Sequence, residues 1–237
     1  MKAMILAAGL GSRLQPITDT VPKAMIEVGG RPLIDYALDT LERSGIHEAI
    51  VNLHHHGRAI REHLGDGSRY GLSLTYSEED PLLGSGGGIL NARRMLEDGD
   101  FVTLNADTII DLDLRKVLEL HRDRSATATM VLRKDPAMQC YGLIRISPRQ
   151  QVVQLLDTPA RGCKAGDGEA YMYTGVQLLS PRVFNYMEGH GPFSITASTY
   201  PAMLKAGEIV MGYPFAGRWL TVGTHDELAA ARCMMEG

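Results

Sequence analysis

Apolar runs and amphipathic stretches alternate through the first half of the chain. Residues 4–8 form an unbroken apolar run that stops at Gly9, the pattern of a strand covered on both faces. A loop rich in Gly, Pro and Thr is expected over 9–30. From Pro32, a residue suited to the first helical position, Leu33, Ile34, Ala37, Leu38 and Leu41 recur at helical spacing as far as Ser44 and Gly45. Strands are expected over 49–53, 72–76 and 101–105. A short helix is expected over 59–64, closed by Gly65-Asp66-Gly67. The cluster Gly84-Ser85-Gly86-Gly87-Gly88 opens another helix, from Ile89 to about residue 97, and a further one follows Asp113 to about residue 124.

After Ser125 the texture changes. Strand patterns cover 126–132, 142–146, 152–156, 171–179, 209–213 and 219–222. Helical patterns cover 182–187, 198–206 and 224–235. Strand alternating with helix in the first half predicts a parallel α/β sheet. The second half extends that sheet and adds a platform over it. No repeat or low-complexity linker divides the chain, so a single domain over 1–237 is expected.

Composition narrows the chemistry. The length and the 44% hydrophobic content leave ample room for one large α/β core. A net charge of −4 gives no bulk attraction to nucleic acid or to a membrane surface, so any anion site has to be built locally. Cys140, Cys163 and Cys233 are odd in number, far apart and without metal-binding spacing, which indicates a reducing cytoplasm. The front apolar run is too short for a signal peptide, and no run approaches the ~18 residues of a membrane span.

Three features carry candidate chemistry. The first is the front loop, where Gly9 and Gly11 bracket Leu10, Arg13 follows, and Lys23 comes after Pro22. A strand ending in glycines leaves backbone N–H groups free to form an anion-binding concavity. Leu14 stands where a dinucleotide fingerprint needs its third glycine, and Lys23 lies too far on for a Walker loop. The bare glycines suit a plain strand–helix turn as well as a cradle; Arg13, Lys23, Pro16 and Pro22 in one loop favour the cradle. The second is the 84–88 cluster, either a flexible tip or a wall on which backbone packs flat against a ligand. The third is Asp107, at the carboxyl end of an apolar strand, where ligands bind in open α/β sheets; a turn or capping aspartate is the plainer alternative. Asp111 and Asp113 form a D-x-D, with capping the natural role of Asp113. His54, His55 and His56 cannot share one face of a strand or helix, so they suit capping of the strand end better than a metal.

The run from Leu6 to Thr18 (LAAGLGSRLQPIT), with Pro22-Lys23-Ala24-Met25, resembles the signature of the sugar-1-phosphate nucleotidylyltransferases, the nucleotide-sugar pyrophosphorylases. The likeness continues through the 84–88 cluster, the strand ending at Asp107 and residues 219–224, and so covers nearly the whole chain. Residues 50–90 and the length are most similar to the short N-acetylmuramate-1-phosphate uridylyltransferases of bacterial cell-wall recycling. The resemblance implies a Rossmann-like, mixed and mostly parallel sheet flanked by helices, the nucleotide-diphospho-sugar transferase fold. It implies a nucleoside triphosphate (UTP first) and a sugar 1-phosphate as partners, Mg²⁺ as cofactor, and a monomer or small homo-oligomer. Residues 1–124 would form the nucleotide-binding half and 125–237 the sugar-phosphate half.

By the same resemblance, the backbone of Leu6, Ala7, Ala8, Gly9 and Gly11 wraps the nucleotide. Arg13 holds the β- and γ-phosphates, and Lys23 neutralises the α-phosphate. Gly86 and Gly87 contact base or sugar, and Glu79 accepts from the base edge. Asp107 is the catalytic Mg²⁺ ligand, here after Ala106 where relatives carry glycine. Gly142, Thr174 and Gly175 match the sugar-phosphate region, although both glycines suit strand bulges equally well. Two departures stand out. The late motif W-x-D-[VI]-G-T reads Trp219-Leu220-Thr221-Val222-Gly223-Thr224, so Thr221 replaces a metal-binding aspartate. The sugar-phosphate E-K-P reads Asp157-Thr158-Pro159, leaving Lys164 or Arg161 as candidate replacements. Alternatives are guanylyl transfer to mannose 1-phosphate and an impaired regulatory protein that only binds nucleotide sugars; intact Arg13, Lys23 and Asp107 weigh against the latter.

Overall fold

The computed structural model describes residues 1–136, 141–189 and 191–236; Cys140 lies outside the described residues. In chain order the first elements are β1 (Lys2–Leu6), β2 (Glu27–Val28), β3 (Arg31–Pro32), α1 (Leu33–Arg43), β4 (Glu48–Leu53), α2 (Gly57–Leu64), β5 (Ser73–Glu78), α3 (Gly84–Asn91) and α4 (Arg93–Leu96). Next come β6 (Phe101–Asn105), β7 (Thr108–Ile110), α5 (Leu114–Asp123), β8 (Ala128–Arg133), β9 (Ile144–Ile146), β10 (Val152–Leu155), β11 (Thr158–Pro159) and β12 (Glu169–Leu179). The chain closes with α6 (Tyr200–Ala206), β13 (Val210–Pro214), β14 (Trp219–Thr221) and α7 (His225–Glu236). The architecture is the expected α/β one, a mixed sheet accompanied by helices. No helix among the described residues is long and apolar enough to cross a membrane.

The chain forms two compact units. The first comprises Met1–Leu82, Leu104–Asp113 and Gly217–Gly237. Here β1, β4 and β5 pair in parallel, with Leu6 opposite Asn52 as the last pair between β1 and β4. Below the loop that follows β1, Leu14, Ile26, Val28, Leu33, Tyr36, Ile109, Val222, Leu228 and Ala231 form one buried cluster. The Tyr36 hydroxyl donates to Val28 O at 2.7 Å, so the only polar group of that ring is satisfied inside the cluster. β7 and β14 are antiparallel, with Thr108 opposite Thr221.

The second unit comprises Leu83–Thr103 and Leu114–Ala216. Its strands run β11-β10-β9-β12-β8-β13, antiparallel except for the last pair. The long β12 carries a bulge between Tyr173 and Gln177, where Gly175 takes φ +89°. Beneath it Gln177 donates to Thr103 Oγ1 at 3.0 Å and accepts from the Tyr200 hydroxyl at 2.6 Å, a buried polar chain with its members paired.

Local differences from the sequence pattern have local causes. β1 spans Lys2–Leu6 instead of 4–8, because the Ala7 N–H leaves the ladder for Asn52 Oδ1 at 2.7 Å. Residues 9–30 are not plain loop: three 3₁₀ turns (Ser12–Leu14, Ile17–Asp19, Lys23–Met25) are followed by β2, which pairs with β3. The glycines of 84–88 are themselves helical, so α3 begins at Gly84, and Ala92 separates it from α4. β9 begins at Ile144 and β10 ends at Leu155 because Gly142 (φ +85°) and Leu156 (φ +51°) leave the extended region. Residues 181–186 form a 3₁₀ turn, and a π turn over Ile195–Thr199 precedes α6.

Candidate active site

The front loop is built by its own cross-ties. Gly11 takes φ +65° and its carbonyl accepts both the Leu14 N–H at 2.8 Å and the Thr18 hydroxyl at 2.9 Å. A side chain at Gly11 would be strained by that φ and would meet Thr18 Cγ2 at 2.7 Å, so the turn requires glycine. Leu14 is buried in the cluster while its neighbour Arg13 is exposed. One side chain thus anchors the turn and the next is left to face outward. Gly9 is exposed and a Cβ on it would meet nothing within 4 Å, so nothing among the described residues demands glycine there.

Lys23 and Asp107 meet in the first unit. Lys23 Nζ donates to Asp107 Oδ2, and the two side chains retain 15% and 23% of their exposure. That is shielded enough to strengthen the attraction and open enough to admit a ligand. Asp107 is set by backbone. The Ala106 N–H binds Leu6 O at 3.1 Å, tying the aspartate to the end of β1, and the Val222 N–H binds Asp107 O at 3.0 Å. Since Thr221 pairs with Thr108 across β7 and β14, the threonine that replaces the expected carboxylate lies in the strand beside Asp107. Asp226 lies in the first turn of α7.

Glu79 is buried, with 4% of its surface exposed. Its carboxylate accepts from Asn52 Nδ2 at 2.6 Å, while Asn52 Oδ1 holds the Ala7 N–H. Asn52, which no sequence pattern singles out, therefore joins the backbone just past β1 to Glu79. Its asparagine identity follows: it needs an acceptor on one side and a donor on the other. Two of the three histidines serve different backbone partners. His54 Nδ1 lies 2.8 Å from Glu79 O, and His56, at φ +53°, places Nε2 3.0 Å from Asp19 O. Among the described residues no three His, Cys, Asp or Glu side chains gather to hold a metal ion. Asp111 pairs on the surface with Arg43 at 3.4 Å.

In the second unit, Gly86 and Gly87 are buried against residues 191–195. The Gly86 N–H donates to Phe193 O at 2.9 Å, the Phe193 N–H donates to Leu83 O at 3.0 Å, and a Cβ on Gly86 would overlap the Phe193 ring. Internal packing thus already accounts for the small size of Gly86. Thr174 is buried and its hydroxyl donates to Val131 O at 2.9 Å. Gly175 occupies the β12 bulge, and Gly142 lies under Leu156, whose Cδ2 would be 2.5 Å from a Cβ there. Thr158 pairs with Leu155 in the short β10–β11 ladder, and Arg161 lies along Gly207.

Two charged groups of this unit are shifted by their surroundings. Burial pushes the His121 imidazole below its usual 6.5, and Arg182 and Arg122 push it further, against the pull of Asp100. Glu208 is raised by burial but brought below its usual value by hydrogen bonds from Thr127 and Tyr186 and by Arg182.

The family model described as "Nucleotidyl transferase" matches residues 2–236. The N-acetylmuramate alpha-1-phosphate uridylyltransferase of Neisseria meningitidis serogroup B is 32% identical, over 99% of this chain and 98% of its own. The UTP–glucose-1-phosphate uridylyltransferase of Synechocystis sp. is 30% identical over 94% of this chain, which spans only 60% of that relative. Among solved structures, a Bacillus anthracis protein provisionally assigned as a glucose-1-phosphate thymidylyltransferase, in complex with a sucrose, superposes with a TM-score of 0.86. It is 26% identical, and the match covers 99% of this chain and 95% of that one.

Proposed function

Because the chain belongs to the nucleotidyl transferase family, we propose that it transfers a nucleoside monophosphate, UMP first, to a sugar 1-phosphate. A phosphate oxygen of the sugar 1-phosphate attacks the α-phosphorus of the triphosphate. The bond from that phosphorus to the bridging oxygen breaks, and pyrophosphate leaves with the electron pair. Two anions have to approach each other, so the protein's work is alignment and charge neutralisation, and no covalent enzyme intermediate is needed.

The observation that carries this reading is the pairing of Lys23 with Asp107 at the end of β1, beside a glycine-bounded loop that turns Arg13 outward. In this reading the backbone from Leu6 to Gly11 wraps the nucleotide and Glu79 accepts from the base edge. An imino N–H, which uracil has and adenine lacks, suits a carboxylate acceptor. Lys23 neutralises the α-phosphate as a point charge, while the planar fork of Arg13 spans the β- and γ-phosphates and holds the departing pyrophosphate. We assign the nucleotide to residues 1–124, with Gly86 and Gly87 as further contacts, and the sugar phosphate to 125–237, with Gly142, Thr174 and Gly175. The uridylyl choice is supported by the Neisseria relative, whose length this chain matches.

The family's chemistry generally relies on a divalent cation. The residues present would fit one held by a single carboxylate, Asp107, with the neutral Thr221 opposite the next residue along; substrate phosphates and water would complete an Mg²⁺ shell. When bound, such an ion would neutralise phosphate charge, and Lys23 would share that work.

The test is pyrophosphate release with Mg²⁺ across the common nucleoside triphosphates and a panel of sugar 1-phosphates that includes N-acetylmuramate, glucose and mannose 1-phosphates. Release from UTP with an amino-sugar 1-phosphate supports the reading. No release from any pair, with measurable nucleotide-sugar binding, replaces the enzyme with a binding protein.

A further inference from the structure

Arg13 rests against a residue far away in sequence. A Cβ on Gly223 would lie 3.0 Å from Arg13 Nη2 and 2.9 Å from Glu227 Oε2. Gly223 is buried and its φ lies outside the left-handed region, so its glycine identity answers to the space those two side-chain ends occupy. The floor under the guanidinium is itself fixed. The Gly223 N–H donates to Glu227 Oε2 at 2.6 Å, and the Glu227 N–H donates to Thr224 Oγ1 at 3.3 Å, so Thr224 caps the start of α7 while Glu227 reaches back one residue further to Gly223. One residue earlier, Val222 is buried in the same cluster as Leu14, the neighbour of Arg13.

We propose that Gly223 is a positioning residue for phosphate binding: its bare backbone, braced by Glu227, is the seat that sets the Arg13 guanidinium. This rests on the reading of Arg13 as a triphosphate-gripping residue. Arginine carries large rotamer freedom. A seat that only glycine can provide lets the guanidinium settle against bare backbone. A methyl group at 223 would lift the guanidinium away while touching only the ends of two flexible side chains.

The test is a double-mutant cycle read by calorimetric titration with inorganic pyrophosphate, with melting temperatures recorded alongside. Gly223→Ala is expected to melt close to the parent protein yet bind pyrophosphate about tenfold more weakly, the scale of a misplaced charged contact. Arg13→Ala is expected to lose affinity at least as strongly, and Gly223→Ala added to it should cause no further loss. Parent-like affinity in Gly223→Ala, or the same loss from Gly223→Ala in both backgrounds, overturns the seat and leaves the Arg13 reading standing. Parent-like affinity in Arg13→Ala overturns that reading and the seat with it.

Discussion

Lys23 Nζ donates to Asp107 Oδ2 although 84 residues separate them in sequence, and both side chains are mostly screened from water. The pair places a cation and a carboxylate where β1 gives way to the front loop. Lys23→Ala and Arg13→Ala are each expected to lower turnover by about a hundredfold or more, the scale for removing a group that stabilises developing charge. Pyrophosphate release under saturating substrates measures this, and near-parental rates in both variants would refute the phosphate cradle.

Thr221 is the cross-strand partner of Thr108, the residue that follows Asp107. Thr221→Asp adds a second carboxylate there and is expected to raise divalent-cation affinity by about tenfold or more, since affinity follows ligand charge. A Mn²⁺ titration of the nucleotide-loaded protein, followed by water-proton relaxation, reads this without reference to turnover. An unchanged titration would place Thr221 away from the cation.

Gly9 and Gly86 are both glycines of the proposed nucleotide site, yet only one is demanded by the fold. Gly9→Ala meets nothing within 4 Å, so it should melt like the parent protein while weakening nucleotide binding through close approach of the added methyl. Gly86→Ala overlaps the Phe193 ring and is expected to cost about 1–3 kcal/mol of stability, as overpacking does. Thermal melts and UTP titrations of the two variants should therefore show opposite patterns; a strongly destabilised Gly9→Ala would contradict the open space above that residue.

His121 makes one component of stability pH-dependent. Its imidazole lies below its usual 6.5 in the folded chain, chiefly through burial. As pH falls through about 6.5, the unfolded chain gains a proton before the native state does, so stability declines until the native imidazole also protonates. His121→Gln removes that component. Urea denaturation between about pH 5 and pH 8 should show a shallower acid-side decline in the variant; parallel curves would show that His121 titrates alike in both states.

How much of this was legible in the sequence depended on distance along the chain. Arg13, Lys23 and the glycines stand together in one loop, and Asp107 ends an apolar run, so their grouping could be anticipated from local pattern. Their partners could not. Nothing near Asn52 in sequence announces that its amide joins Ala7 to Glu79, because both contacts form only when β4 pairs with β1. Gly223 and Glu227 gain meaning only once Val222 packs beside Leu14. β1 ends two residues before the apolar run does for the same reason: Ala7 and Ala8 are as apolar as a strand requires, and a distant side chain decides that Ala7 leaves the ladder. In the glycine cluster, composition suggested a loop, whereas contact with residues 191–195 accompanies a helix.

The cluster beneath the front loop joins Leu14 to Val222, Leu228 and Ala231, and this has a consequence for biosynthesis. The first turns of the loop are translated well before the residues that supply their apolar backing. Until residues 222–231 have cleared the exit tunnel, Leu14 has no completed cluster to enter and Arg13 has no floor. A nascent chain therefore carries the loop long before its packing is complete, and that packing arrives only with α7.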